Sequence, residues 1–149
     1  MKILIMGLPN SGKTWLGSRI AEKFSIPFWD ADVVRNIYND WDFSDRGRDR
    51  QSLRMRKLAE LDSISISAFI APLPGYIQNF FPDKLIWMDT VKDCEYEDTN
   101  KLFKPPQNPD VRITKWTDEN QLFKCLDGIS LGTKDIQNFS NELMEELGK

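Results

Sequence analysis

Gly7-Leu8-Pro9-Asn10-Ser11-Gly12-Lys13-Thr14 is the stretch that decides how this chain is read. It matches G-x-x-x-x-G-K-[ST] in full. It lies between an apolar run, Lys2 to Met6, and a helical pattern from Lys13 to Phe24 in which Trp15, Leu16, Ile20 and Phe24 repeat toward one face. Strand, glycine loop and helix, in that order, suit the binding of a phosphate chain. Glycines let the backbone approach the oxygens, and successive N–H groups with the helix N-terminus hold the negative charge. Lys13 can reach the β and γ phosphates of ATP, and the Thr14 hydroxyl can ligate Mg²⁺. All eight residues are therefore expected to contact the nucleotide. The bland alternative, a turn whose lysine is only a surface charge, explains neither the full pattern nor its context. No G-x-G-x-x-G is present, which sets aside a dinucleotide site of that kind.

Working outward, the 149 residues fit one domain, residues 1–149, and folding a chain of this size buries about 70% of the surface exposed when unfolded. Hydrophobic residues make up 40% and charged residues 29%, a globular balance, and no apolar run approaches the roughly 18 residues of a membrane span. Ile3 to Met6 is too short for a signal-peptide core, so a cytoplasmic protein with no membrane partner is expected. Lysine plus arginine total 20 against 23 acids, a net charge of -3 without the global basic excess of a nucleic-acid binder, so any anion site must be local. Cys94 and Cys125 lack metal-ligand spacing and read as reduced thiols. Histidine is absent, so acid–base work falls to carboxylates, lysines or tyrosines.

Further along, Pro27 to Trp29 reads as a strand, 31–38 as a helix, and a longer helix runs from an N-cap at Ser44 to Leu61. Ser63 to Ile70 alternates isoleucine and alanine against serines, a strand with one unusually polar face and the other toward the core. Gly75 to Phe81 reads as a short helix, Lys84 to Met88 as a strand ending at Asp89, and Val111 to Thr114 as the last strand. Pro105, Pro106 and Pro109 break the chain, which makes 99–110 a lid or flap, mobile in this reading over 100–110. Ile136, Phe139, Leu143 and Leu147 share a face and predict a terminal helix over 134–147. Alternation of strands and helices predicts an α/β domain, a parallel sheet with helices on both faces and its ligands at the carboxyl ends of the strands.

At that edge Asp30 and Asp32 follow the second strand. One can serve as base toward an attacking hydroxyl and the other as Mg²⁺ ligand, although Asp32 also reads as a cap of the helix that follows. Asp89 is a further metal candidate, or simply the end of a strand. Arg35, then Arg46, Arg48, Arg50, Arg54, Arg56 and Lys57, form the strongest local positive field in an acidic chain. A solvated helix face accounts for most of it, while one or two guanidinium forks suit phosphate or sulfate oxygens. Arg48 and Gln51 sit three apart and project together, away from Arg46, Arg50, Arg54 and Lys57. Trp41 and Phe43 offer a flat surface to a base, or pack as core aromatics.

Taken in order, Gly7 to Thr14, Trp29 to Arg35, Phe43-Ser44 with Arg48 and Gln51, Ala68 to Pro72, and Met88-Asp89-Thr90 resemble adenylylsulfate kinase over about residues 1–106. The resemblance implies a three-layer P-loop NTPase fold of the nucleoside-kinase kind, and transfer of the ATP γ-phosphoryl to the 3′-hydroxyl of adenosine 5′-phosphosulfate in sulfate assimilation. It gives Lys13, Asp30 and Asp32 catalytic roles and Thr14, Asp30 and Asp89 to the metal. Asp32, Arg35, Phe43, Arg48, Gln51, Ile70 and Lys101 would hold the acceptor, Phe43 by stacking on adenine and Lys101 from the lid. ATP and Mg²⁺ are the implied cofactors, a small molecule is the partner, and a homodimer is left open. The sequence departs from the family at Ala31 for glycine, at Ala71 for serine, at Leu73-Pro74 where an arginine would stand, and in a lid cut short at Lys104-Pro105-Pro106. Another nucleotide or small hydroxyl acceptor is the alternative within the enzyme class. A nucleotide-binding module without turnover is the alternative outside it.

Overall fold

The computed structural model describes residues 1–92 and 94–115. The elements run β1 Lys2–Met6, α1 Lys13–Phe24, β2 Phe28–Asp30, α2 Ala31–Tyr38, α3 Asp45–Ala59, β3 Ser65–Phe69, α4 Pro74–Phe80, β4 Lys84–Met88, α5 Glu97–Leu102 and β5 Val111–Ile113. The expected terminal helix over 134–147 and Cys125 lie outside the described residues. The five strands form one sheet of order β2-β3-β1-β4-β5, every pairing parallel.

A parallel sheet forces each chain segment to leave a strand at the same edge and return by a crossover, so the loops after β1, β2 and β3 gather together. The chain leaves β1 for β2 and β3 on one side and returns to β4 and β5 on the other. That reversal opens a crevice beside the end of β1, where the glycine loop lies.

β1 is central and buried on both faces, because side chains alternate across a strand while helices cover each face. Ile3 and Ile5 meet Leu16, Ile20 and Phe24 of α1, together with Ile66, Ile86 and Met88. Leu4 and Met6 face the opposite layer, where Val34 of α2, Met55 and Ala59 of α3 and Phe80 of α4 pack with Phe69 and Trp87.

β3 corrects one expectation. Its serine face meets no water: Ser65 and Ser67 are both fully buried. Ser65 Oγ donates to the carbonyl of Ala59 at the end of α3, 2.8 Å away, whereas Ser67 Oγ has no partner among the described residues. Small side chains there let the α3 layer approach closely, with one unmet hydroxyl as the cost.

The proline-rich segment is also revised, since residues 100–102 belong to α5. Phe103 packs against the second core cluster, the Lys104 N–H donates to the Pro72 carbonyl at 2.7 Å, and the Asp110 N–H donates to Leu85 at 2.9 Å. The prolines stop a helix, but neighbouring backbone groups hold the segment on the sheet. No helix among the described residues is long and apolar enough to cross a membrane.

Candidate active site

The turn out of β1 is shaped for an anion. Gly7 has φ 153, and a Cβ there would meet the Met88 carbonyl oxygen at 2.6 Å and Ser11 Oγ at 2.8 Å, so only glycine fits. Gly12, in a left-handed conformation, precedes α1 without supplying a side-chain cap, which leaves first-turn N–H groups of the helix for a ligand. Lys13 Nζ donates to the Leu8 carbonyl across the loop at 2.8 Å. Burial lowers the Lys13 pKa to about 8, against the opposing pull of the Asp32 and Asp30 carboxylates.

β2 delivers the two carboxylates. Asp30 Oδ2 accepts from Thr14 Oγ1 at 2.5 Å, and Asp30 Oδ1 accepts from the Asp32 N–H at 3.0 Å. Asp30 is thus the N-cap of α2, the duty for which Asp32 was the sequence candidate. The Asp32 carboxylate has no hydrogen-bond partner among the described residues and lines the adjoining cavity. Thr14 and Asp30 supply one hydroxyl and one carboxylate oxygen side by side, a hard donor pair suited to Mg²⁺. That ion ordinarily takes its remaining positions from water and phosphate oxygens.

A cavity of about 780 Å³ extends from this loop to the acceptor side. Lys13, Thr14, Asp30 and Asp32 form one end. The other carries Arg35, Phe43, Arg48, Gln51 and Ile70, so these expected acceptor residues share one space with the phosphate end. Arg35 and Arg48 are only 4% and 9% exposed, and among the described residues neither has a carboxylate within ion-pair distance. Arg35 Nη1 donates to the carbonyls of Asp40 and Asp42 at 2.9 and 3.2 Å, and Arg48 Nε donates to the Phe43 carbonyl at 2.9 Å. Both guanidinium groups lie over the Phe43 ring, at 4.3 and 5.4 Å from its centroid. Burial lowers both pKa values, yet each remains a cation at any ordinary pH.

The remaining basic residues resolve differently. Arg50 and Arg54 both pair with Asp40, at 2.7 and 3.0 Å, and Arg56 pairs with Glu60 at 2.6 Å. Gln51 is engaged at both ends of its amide: Nε2 donates to the Ala31 carbonyl at 3.1 Å and Oε1 accepts from Arg54 at 2.9 Å. It lines the cavity while tying α3 to the Asp30-Ala31-Asp32 turn. Arg54, Asp40 and Gln51 therefore connect the two carboxylates to the loop that holds Arg35 and Phe43.

Two sequence candidates stand apart. Asp89 Oδ2 accepts from Arg112 Nε at 3.0 Å and Nη2 at 2.5 Å, and it lines a smaller hollow with Trp87 and Asn100. Lys101 is exposed on α5 and does not line the main cavity. Conversely, Tyr76, Glu95, Tyr96, Asp98 and Thr99 line the cavity without having been singled out. Tyr76 lies on a seven-residue helix in a proline-broken stretch, and the others begin a helix with no cap motif, so nothing local advertised them.

No family model matches the sequence, and no curated protein matches it. Solved structures do match. The APS kinase of Mycobacterium tuberculosis in complex with AMPPNP and APS superposes with a TM-score of 0.63 at 20% identity, over 99% of this chain and 97% of that one. Shikimate kinase from Aquifex aeolicus gives 0.59 at 16% identity over 99% and 96%. A gluconokinase from Sinorhizobium meliloti gives 0.59 at 12% over 98% and 90%. The chain has the P-loop kinase fold. At these identities the likeness is one of architecture, and it extends equally to kinases whose names give different acceptors.

Proposed function

We propose that the chain is an ATP-dependent kinase that moves the γ-phosphoryl of Mg-ATP to a hydroxyl of a small anionic acceptor. The single observation that carries this reading is the shared cavity, with a phosphate loop and two carboxylates at one end and, at the other, two buried arginines that have no ion-pair partner among the described residues. A buried cation with no ion-pair partner is costly unless a ligand supplies the anion. In this reading Lys13 and the loop amides hold the phosphate chain, and Arg35 and Arg48 hold the acceptor. Asp32 accepts the proton of the attacking hydroxyl. Thr14 and Asp30 would hold Mg²⁺, which neutralises charge on the phosphates when bound.

Adenosine 5′-phosphosulfate is the acceptor the sequence resemblance implies, and the half-exposed Phe43 and Trp41 rings offer its base a surface. Phe43 already has the two guanidinium groups over it, so a base would add to that stack. A second reading, a sugar-like acceptor with several hydroxyls, is favoured by Glu95 and Asp98 on the cavity wall, whose carboxylates accept hydrogen bonds from hydroxyl groups where the resemblance puts a lysine. The test is product formation with Mg-ATP and adenosine 5′-phosphosulfate, shikimate and gluconate in parallel. Phosphorylated product from one of them establishes the class and names the acceptor. ATP binding with no acceptor-dependent turnover leaves a nucleotide-binding module instead.

A further inference from the structure

The arginine that the family resemblance would place after Pro72 is missing, and α4 starts there instead, with Pro74 at its first turn. One turn on, that helix carries Tyr76. The residue is only 6% exposed, yet it lines the main cavity, and its hydroxyl has no hydrogen bond among the described residues. A hydroxyl at a cavity wall with no partner in the surrounding protein is free to donate to a ligand. Arg48, packed from α3 on the same side, uses its Nε on the Phe43 carbonyl and has no partner for its terminal nitrogens among the described residues.

We infer that Tyr76 and Arg48 together form the anion-binding subsite of the acceptor pocket, with the tyrosine hydroxyl donating to the same oxyanion that the guanidinium grips. This deepens the proposed function and rests on that reading for the identity of the occupant as an acceptor. Burial, with the acids Asp45 and Asp49 nearby, raises the Tyr76 pKa above its ordinary value, so the phenol stays protonated and donates throughout the working pH range. Substituting a neutral phenol for a second cation suits a group such as a carboxylate or sulfate ester, whose charge Arg48 nearly balances. Tyr76 would therefore set specificity for the charged group and leave the transfer step to the other end.

The experiment is calorimetry with saturating Mg-ADP, so that the phosphate loop is already filled. Adenosine 5′-phosphosulfate and shikimate are titrated beside their neutral counterparts, adenosine and shikimate methyl ester. The expected result is that wild type binds an anionic member of these pairs and Tyr76→Phe binds it about tenfold more weakly, the loss of one hydrogen bond to a charged group. Affinity for Mg-ADP and the melting temperature stay as in wild type. Equal affinity of Tyr76→Phe for the anion overturns the inference, as does an equal loss for Mg-ADP or the neutral counterpart. Failure of wild type to bind either anion also overturns it. Anion binding without phosphoryl transfer defeats the kinase reading and leaves the subsite standing. Transfer with an indifferent Tyr76→Phe removes the subsite alone.

Discussion

The two ends of the cavity are built by opposite means. The phosphate end is centred on eight consecutive residues, with Lys13 closing on the Leu8 carbonyl five residues away. Distant groups such as Thr90, donating to the Ser11 carbonyl, and Asp30, accepting from Thr14, brace a loop already laid out by its own sequence. The acceptor end is assembled from α2, α3, α4 and the end of β3, joined by bonds such as Gln51 to Ala31, twenty residues apart. A local device keeps its geometry as long as its strand and helix form. An assembled one depends on every element that delivers a side chain, so the same fold can change acceptor while the loop stays as it is.

That difference predicts a graded response. Lys13→Ala should cost the most, about 10³-fold or more in kcat/KM, since a contact to the transferring phosphoryl is lost from an otherwise folded protein. Steady-state kinetics beside a circular-dichroism melt would check it, and an unchanged kcat would remove the loop from the chemistry. Asp32→Asn comes next, with kcat lowered about 10²-fold and nucleotide affinity retained. Asp30→Ala should behave differently, because Asp30 bonds Thr14 and caps α2. It should weaken Mg²⁺ dependence and lower the melting temperature, whereas Asp32→Asn leaves melting unchanged.

Arg54→Ala tests the assembled end. Among the described residues Arg54 bonds Gln51 and Asp40, lies over the Tyr38 ring and does not line the cavity, yet its loss should raise the acceptor KM severalfold with the ATP KM constant. Restoration by Arg54→Lys should be incomplete, because one ammonium does not reproduce two directed bonds. If both KM values rise together, the two ends are not separable as described.

The smallest effect is that of pH. Lys13 in the free protein titrates at about 8, and its charged form is the one that attracts phosphate. As pH rises through that value the charge is lost, so kcat/KM for ATP should fall on the alkaline side. Bound nucleotide stabilises the ammonium, so the corresponding limb in kcat should appear at higher pH. Coincident limbs would assign the titration to another group.

Legibility in the sequence follows the same division. The strand, loop and helix through Phe24 were readable because the pattern and its periodicity agree, and β1, α1, α2 and β4 keep the predicted boundaries. Ser44 was readable as a cap and accepts from the Gly47 N–H at 3.2 Å. Arg48 and Gln51 were separable from Arg50 by helical spacing, and burial divides them in the same sense, whereas Arg54, three residues past Gln51, reaches back to bond it and does not project apart as expected. Tyr76 and the α5 residues were not readable, since their inclusion depends on where α4 and α5 sit against α3 and the sheet. Asp89 looked like a metal ligand by position at a strand end, but no local pattern announces a partner such as Arg112, 23 residues away.

The single backbone bond from Lys104 to the carbonyl of Pro72 joins the segment after α5 to the rim of the acceptor wall. Any widening of the pocket mouth that separates these two must break it. The amide proton of Lys104 is consequently a built-in gauge, and its exchange with deuterated solvent would count the openings of the mouth whether or not a reaction follows.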